Sequence, residues 1–182
     1  HTFDDFYALT DDMREGKEEA TELVIRFQLD KSITIAGINK VGLCLIGSFG
    51  VGKSALATSA LIAEALQGGS ILRVKFMDLL DDVKDAYSRP DVFPEDIIRA
   101  AQRVHLALLD DMGNPRINAE LTADQIRITH KILEWRDENM LPTLVTTNCS
   151  EEQLKKQITP RTFERLRELC HFVQVGGKNI RL

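Results

Sequence analysis

Cysteine is scarce in this chain: Cys44, Cys149 and Cys170 are the three among 182 residues, far apart and set in or beside apolar runs. An odd, scattered set excludes both a disulfide framework and the paired spacing of a zinc site, and it points to buried free thiols in a reducing cytosol. Long apolar runs are missing too. Nothing approaches the ~20 residues that a membrane-crossing helix needs, and no secretory leader pattern is visible, so no membrane partner is expected. Nor is positive charge in excess: 23 Lys and Arg stand against 28 Asp and Glu, a net charge of −5. That excludes coating nucleic acid by bulk charge while leaving room for a local basic patch. Internal repeats and low-complexity segments are absent. What remains is a chain 43% hydrophobic and 28% charged, a balance that predicts one globular domain with a real core over residues 1–182.

One stretch organises the rest. Residues 41–54 read V-G-L-C-L-I and then G-S-F-G-V-G-K-S. The second part fits the phosphate-loop pattern G-x-x-x-x-G-K-[ST] at Gly47, Gly52, Lys53 and Ser54. Glycine admits turn conformations closed to residues with a Cβ, so backbone N–H groups along Gly47, Ser48, Phe49, Gly50, Val51 and Gly52 can point inward at one phosphate. The helical stretch 55–66, opening at Ala55, adds the positive end of its dipole. Lys53 places a cation on the outer phosphates, and the Ser54 hydroxyl completes the shell of a Mg²⁺ that keeps most of its waters. The expectation is a nucleoside triphosphate site at residues 47–55.

Around that stretch, helices and strands alternate. Met13, Ala20, Leu23, Val24 and Phe27 recur at helical spacing, which predicts an amphipathic helix over 11–28, with Gly16 weakening its first turns. Gly68-Gly69 ends the phosphate-loop helix, and 71–76 alternates as a strand does. A helix over 77–87 turns Leu79, Leu80 and Val83 inward, and a second follows over 95–103. The apolar run 104–109 has the look of a buried parallel strand ending in Asp110-Asp111. Thr122-x-x-Gln125 is a capping-box start for a helix to about residue 138, with Ile126, Ile128, Ile132, Leu133 and Trp135 on its apolar side. Residues 143–147 form another strand, closed by Asn148. Ser150-x-x-Gln153 caps a short helix, Thr159-Pro160 starts the next, and 171–175 is the last strand. Strands alternating with helices predict an α/β three-layer sandwich, with five parallel strands covered on both faces. Ligands in such sheets bind at the carboxyl ends of the strands, where the phosphate loop, Asp110-Asp111 and Asn148 all fall.

Asp110, after its apolar strand, is where a phosphate-loop protein needs a carboxylate for the metal, so Ser54 and Asp110 are the candidate metal residues. Asp111 is the candidate to polarise an attacking water. Asn148 is placed to bond the γ-phosphate or that water, although asparagine also simply ends strands. Arg161, Arg165 and Arg167 lie on the helix that Pro160 begins, with Phe163 and Leu166 able to pack inward. Spacing alone leaves two roles open there, a solvated basic face or an arginine that meets charge in a phosphoryl-transfer transition state.

G-S-F-G-V-G-K-S, L-L-D-D-M-G, P-T-L-V-T-T-N-C-S, R-T-F-E-R-L-R and G-K-N-I-R follow one another in the order seen in AAA+ ATPases. The chain resembles bacterial replicative helicase loaders of the DnaC/DnaI type, and nearly as much the IstB-type transposition ATPases. The opening T-F-D-D-F is similar to the start of their ATPase domain, so the resemblance covers almost the whole chain. It implies the P-loop NTPase (AAA+) fold, ATP hydrolysis with Mg²⁺, homo-oligomeric rings or spirals formed on ATP or DNA, and a replicative helicase and single-stranded DNA as partners. It makes 47–54 the Walker A loop and Asp110-Asp111 the Walker B pair. It implies the first sensor at Asn148, a finger reaching a neighbour's ATP at Arg165, and the second sensor at Arg181. Arg161 is a lesser match one turn before the finger, and Phe3 and Phe6 would lie near the adenine. Two departures stand out. Many AAA+ enzymes have Glu where this chain has Asp111, which suits a slow switch more than a fast motor, and the chain stops just after Arg181, with no room for a helical lid. The rival implications are a regulator of DNA transposition and a nucleotide-binding interaction module with little turnover.

Overall fold

The computed structural model of the chain describes residues 11–35, 37–116 and 119–176. Helix α1 (Asp11–Asp30) leads into a small antiparallel hairpin, β1 (Ile33–Ile35) with β2 (Ile38–Lys40). Then comes the alternation that the sequence predicts. In chain order it runs β3 (Gly42–Ile46), α2 (Lys53–Leu66), β4 (Ile71–Lys75), α3 (Phe76–Ala86), α4 (Pro94–Arg103) and β5 (Leu106–Asp110). It continues with α5 (Ala123–Glu138), β6 (Thr143–Thr147), α6 (Glu151–Ile158), α7 (Pro160–Leu169) and β7 (Cys170–Gln174). The five long strands pair in parallel in the order β4-β5-β6-β3-β7.

Every residue of β3, β5 and β6 is buried, because helices cover both faces of the sheet. Side chains still alternate. Leu43, Leu45, Leu106, Leu108, Leu144 and Val173 pack with Ala20, Val24 and Phe27 of α1 and with Leu56, Ala57, Ala60 and Leu61 of α2. Cys44, Ile46, Leu109 and Val145 face the other way, onto α3 to α7 through residues such as Leu80, Ile98, Ile132, Leu154 and Leu166. The result is the three-layer sandwich expected. Both capping boxes form, Thr122 with Gln125 and Ser150 with Gln153, and each fixes where its helix starts. Cys44, Cys149 and Cys170 are buried free thiols, and burial raises all three above the usual thiol range, so they stay protonated and inert.

Several expected boundaries shift. Phe76 opens α3 instead of closing β4, and its ring is buried under that helix. β5 begins at Leu106, since Val104 caps α4, and it includes Asp110 as its last residue. β7 starts at Cys170, one residue early. On α5 the apolar side is Ile128, Ile132 and Leu133, while Ile126 and Trp135 are only half-buried. The side chain of Met13 lies outside the described ones.

At the amino edge of the sheet Arg136 of α5 is fully buried. Its Nε donates to Thr143 Oγ1 at 2.8 Å. One terminal nitrogen donates to the carbonyls of Ala101, Gln102 and Val104 at 3.0, 3.1 and 2.9 Å, and the other to Pro142 at 2.6 Å and His105 at 3.4 Å. These are the carbonyls that α4 leaves unpaired at its end, together with those of the turns entering β5 and β6. Burial pushes the guanidinium down to about 10, which still leaves it charged at neutral pH. Arg136→Met removes every one of these donors at nearly constant volume. It should cost about 3 kcal/mol or more in urea unfolding, because the carbonyls at the end of α4 lose their donor while Pro142 keeps only the Ala107 N–H. Arg136→Lys should recover only part of the loss, since an ammonium cannot reach the same set of carbonyls.

Candidate functional site

The phosphate loop links β3 to α2, and its glycines are there for shape. Gly52 takes φ 94° as the N-cap of α2, and a Cβ at Gly47 would collide with the Val175 carbonyl oxygen. No side chain caps α2, so its first N–H groups are left for a ligand. Ser48, Phe49, Gly50 and Ala55 are exposed, and Val51 and Gly52 are half-buried.

Strand alternation brings the acids to this loop. Leu106, Leu108 and Asp110 of β5 share the α2 face, as do Leu144 and Thr146 of β6. Asp110 is 4% exposed, and its carboxylate is fully engaged. Oδ1 accepts from Ser54 Oγ at 2.7 Å and Thr146 Oγ1 at 2.6 Å, and Oδ2 accepts from the Arg73 guanidinium at 3.0 Å. Burial alone would raise this acid, but the bonds from Thr146, Ser54 and Arg73 outweigh it and hold Asp110 below the usual carboxylate range.

In a continuing strand Asp111 would point to the opposite face. It does not, because its backbone turns into the left-handed region at φ 59°, which is unusual for a residue other than glycine. Thr146 pins that turn by accepting from the Asp111 N–H at 2.8 Å, and Met112 N–H bonds the Thr146 carbonyl at 2.8 Å. The exposed Asp111 carboxylate then accepts from Asn148 Nδ2. Asn148 Oδ1 in turn accepts from Lys53 Nζ at 2.7 Å. The amide orientation is fixed by its neighbours, since the cation needs an acceptor and the carboxylate a donor. Lys53 is 6% exposed and also donates to the Gly47 and Ser48 carbonyls at 2.9 and 2.8 Å. Burial lowers its ammonium below the usual lysine range, with Asp111 and Asp110 pulling the other way.

Lys53, Ser54, Asp110, Asp111 and Asn148 therefore form one connected site. Thr146 and Arg73 belong to it as well and had no expected role. Thr146 was signalled by the polar Thr-Thr end of a buried strand, and Arg73 by a cation on the α2 side of an edge strand. The donor set suits Mg²⁺: one hydroxyl and one carboxylate leave a hard cation most of its waters and room for phosphate oxygens. Among the described residues no cluster of three or more His, Cys, Asp or Glu side chains is placed to hold a metal by itself. Beside Asp111 opens a pocket of about 380 Å³ that includes Phe49, Lys75, Asn114 and Arg116, with the Arg116 guanidinium 6.0 Å from the Phe49 ring centre.

Arg165 lies elsewhere. Its guanidinium meets Glu168 at 2.6 Å, Asp137 at 3.3 Å and Glu134 at 3.6 Å. Asp137 is in the last turn of α5, which leads to the amino end of β6, the sheet edge opposite the phosphate loop. Arg161 is exposed in the first turn of α7. Phe3, Phe6 and Arg181 lie outside the described residues.

A phosphate loop after β3, the fourth strand of a five-stranded parallel sheet, an acidic pair on β5, the next strand but one, and a polar residue just past β6 between them fit an AAA+ P-loop ATP-binding domain. Solved structures of the DnaC helicase loader (TM-score 0.74, 20% identity, 96% of each chain covered) and of DnaI (TM-score 0.70, 26% identity, 99% of this chain and 90% of that one) share the fold. The replicative helicase loader DnaC of Escherichia coli strain K12 is 26% identical over 121 residues, 66% of this chain and 48% of that protein. The match thus spans about half the length of that curated relative. The model of the IstB-like ATP binding proteins matches residues 31–182, and the chain belongs to that family.

Taking Lys53 as the phosphate cation proposed below, Lys53→Ala should keep the far-ultraviolet circular dichroism of the folded domain. Affinity for a fluorescent ATP analogue should fall about 10- to 100-fold, the size of one lost charge-assisted hydrogen bond. Equilibrium titration followed by anisotropy measures it.

Proposed function

We propose that residues 1–182 act as the ATPase domain of a replicative helicase loader, hydrolysing ATP with Mg²⁺ in the cytoplasm while handling a ring helicase and single-stranded DNA. The observation that carries this is the connected set Lys53–Asn148–Asp111 beside Ser54–Asp110, which supplies a phosphate cation, a metal carboxylate and a water-facing carboxylate at one strand-end cleft. Sequence and fold likeness to DnaC and DnaI supports the loader role. In the bound site Lys53 turns from its own loop carbonyls to the outer phosphates, and α2 presents its uncapped N–H groups. Ser54 and Asp110 would hold a Mg²⁺ ion, which would supply charge screening on the phosphates. Asp111 orients the attacking water and takes its proton, with Asn148 holding the carboxylate in place. Arg165, at the end of the sheet opposite its own phosphate loop, is the finger offered to a neighbouring copy, and its ion pairs to Glu134, Asp137 and Glu168 hold it in place on its own chain.

The family match to IstB-like proteins favours a second reading, an ATPase that regulates DNA transposition. Turnover measured with and without single-stranded DNA, alongside electron microscopy on duplex DNA, separates the two. Stimulation by single strands supports the loader, and filaments on duplex DNA support the transposition role. Turnover near background under every condition would leave an interaction module that binds ATP without using it.

Asp111→Asn should still bind Mg·ATP but hydrolyse it ~10²-fold more slowly, the usual size of a lost general base; rapid-quench turnover measures this. Wild-type hydrolysis should also rise faster than linearly with protein concentration. Arg165→Ala should remove that rise and spare ATP affinity, because a finger meets charge only as the transition state forms. Concentration-independent turnover in both proteins would instead make Arg165 a surface ion-pair residue.

A further inference from the structure

Asp110 has a distribution of partners that the ATP-site description leaves unexplained. Its Oδ1 already accepts two hydrogen bonds, from Ser54 and Thr146, which fill the usual capacity of a carboxylate oxygen. Only Oδ2 has a lone pair to offer to anything that arrives, and there the Arg73 guanidinium stands at 3.0 Å. Arg73 comes from β4, the edge strand, two residues below Lys75, the register partner of Asp110. Its side chain is about half exposed, so it can leave without opening the core.

From this geometry, and taking Asp110 as the metal carboxylate proposed above, we infer that Arg73 is a positioning residue that competes with the metal. It holds Oδ2 of Asp110 while the site is empty and gives way, wholly or in part, when the water shell of a divalent cation reaches that oxygen. Two things follow from a cation already in place. The carboxylate is kept aimed by Arg73, and a bare divalent cation meets one positive charge next to the carboxylate it would use. Mg²⁺ therefore binds well only when the phosphates of a nucleotide bring further negative charge. Arg73 makes the metal depend on the nucleotide.

Mn²⁺ is the probe, since its free hexa-aqua form gives an electron paramagnetic resonance signal that disappears on binding. Titrations are run with the non-hydrolysable analogue β,γ-imido-ATP at saturation and again without nucleotide. Arg73→Gln should tighten Mn²⁺ binding several-fold, about tenfold at most, the effect of one unit charge on a divalent ion through well-solvated surroundings. The gain should be larger without nucleotide than with it. Arg73→Lys, which keeps the charge, should stay near wild type. Asp110→Asn should weaken Mn²⁺ at least tenfold, and adding Arg73→Gln to it should change little, because there is no carboxylate left to compete for. If Arg73→Gln leaves Mn²⁺ affinity unchanged or weakens it while Asp110→Asn weakens it, the competition is wrong and Asp110 keeps its role. Should Asp110→Asn bind Mn²⁺ as wild type does, the metal role of Asp110 is lost, and the role of Arg73 with it. Equal shifts in Arg73→Gln and Arg73→Lys would mark a packing effect and overturn the inference.

Discussion

Burying a carboxylate at the end of a parallel strand is unfavourable unless donors meet it, and meeting it organises the upper half of this domain. Asp110 is reached from three directions: by Ser54 at the start of α2, by Thr146 at the end of β6 and by Arg73 on β4. Those bonds fix α2 relative to the sheet at the point where the phosphate loop closes. They also fix β6 relative to β5, so Asn148, two residues past Thr146, falls beside Asp111. The same Thr146 hydroxyl that donates to Asp110 accepts from the Asp111 N–H, and one side chain thereby sets both acids. Thr146→Val would keep the shape and lose both bonds, which is why its hydroxyl counts for more here than its β-branched fit to a strand.

The opposite edge of the sheet is held by the complementary device. There the groups to be met are carbonyls, from the end of α4 and the turns into β5 and β6, and one guanidinium gathers them. Between the two edges the core is ordinary apolar packing on both faces of the strands. A second polar clamp joins the outer layer: Glu64 of α2 takes Lys31, just past α1, and His105, just before β5, whose Nδ1 lies 2.6 Å away. The Lys31 ammonium paired with it is the largest influence holding Glu64 below the usual carboxylate range. Its stabilising effect is therefore present above the ordinary carboxylate pKa and is lost as pH falls through the lower folded value.

Much of this was legible from sequence because it is local. The phosphate loop carries its own geometry in four fixed positions, and the two capping boxes each need only a residue and its third neighbour. Burial of Ala20, Val24 and Phe27, or of Phe163 and Leu166, follows from helical spacing. What escaped was set by distant partners. Arg136 sits in the polar run W-R-D-E and looks like a surface residue until α4 and β5 are folded around it. Arg73 and Thr146 gain their roles only when β4, β5 and β6 are in register. The β1–β2 hairpin was missed because strands of three residues offer too few positions for an alternation to register. Phe76 continued an alternating run and was counted with it, whereas the buried ring belongs to the helix that follows.

The polar side chains of the site satisfy one another, and that bears on how a nucleotide would be received. Lys53 has three acceptors, Asp110 three donors and Asp111 the amide of Asn148, so a nucleotide gains its contacts by exchange and not by filling open valences. The exchange is ordered by Asn148. Its two ends hold Lys53 and Asp111 at once, and a Lys53 that turns to a phosphate withdraws the donor from Asn148 Oδ1. That oxygen would then be left free next to Asp111, the carboxylate proposed to orient a water. Asp111 itself is held in a left-handed backbone conformation that a strand would not choose, with its N–H bonded to Thr146 and its carboxylate to Asn148. A short acid, fixed in a strained turn and tied to the lysine through a single amide, has little freedom to find the water alone. Under the function proposed above, such an arrangement would suit hydrolysis that waits on the nucleotide and on a neighbouring copy, as in a timed switch.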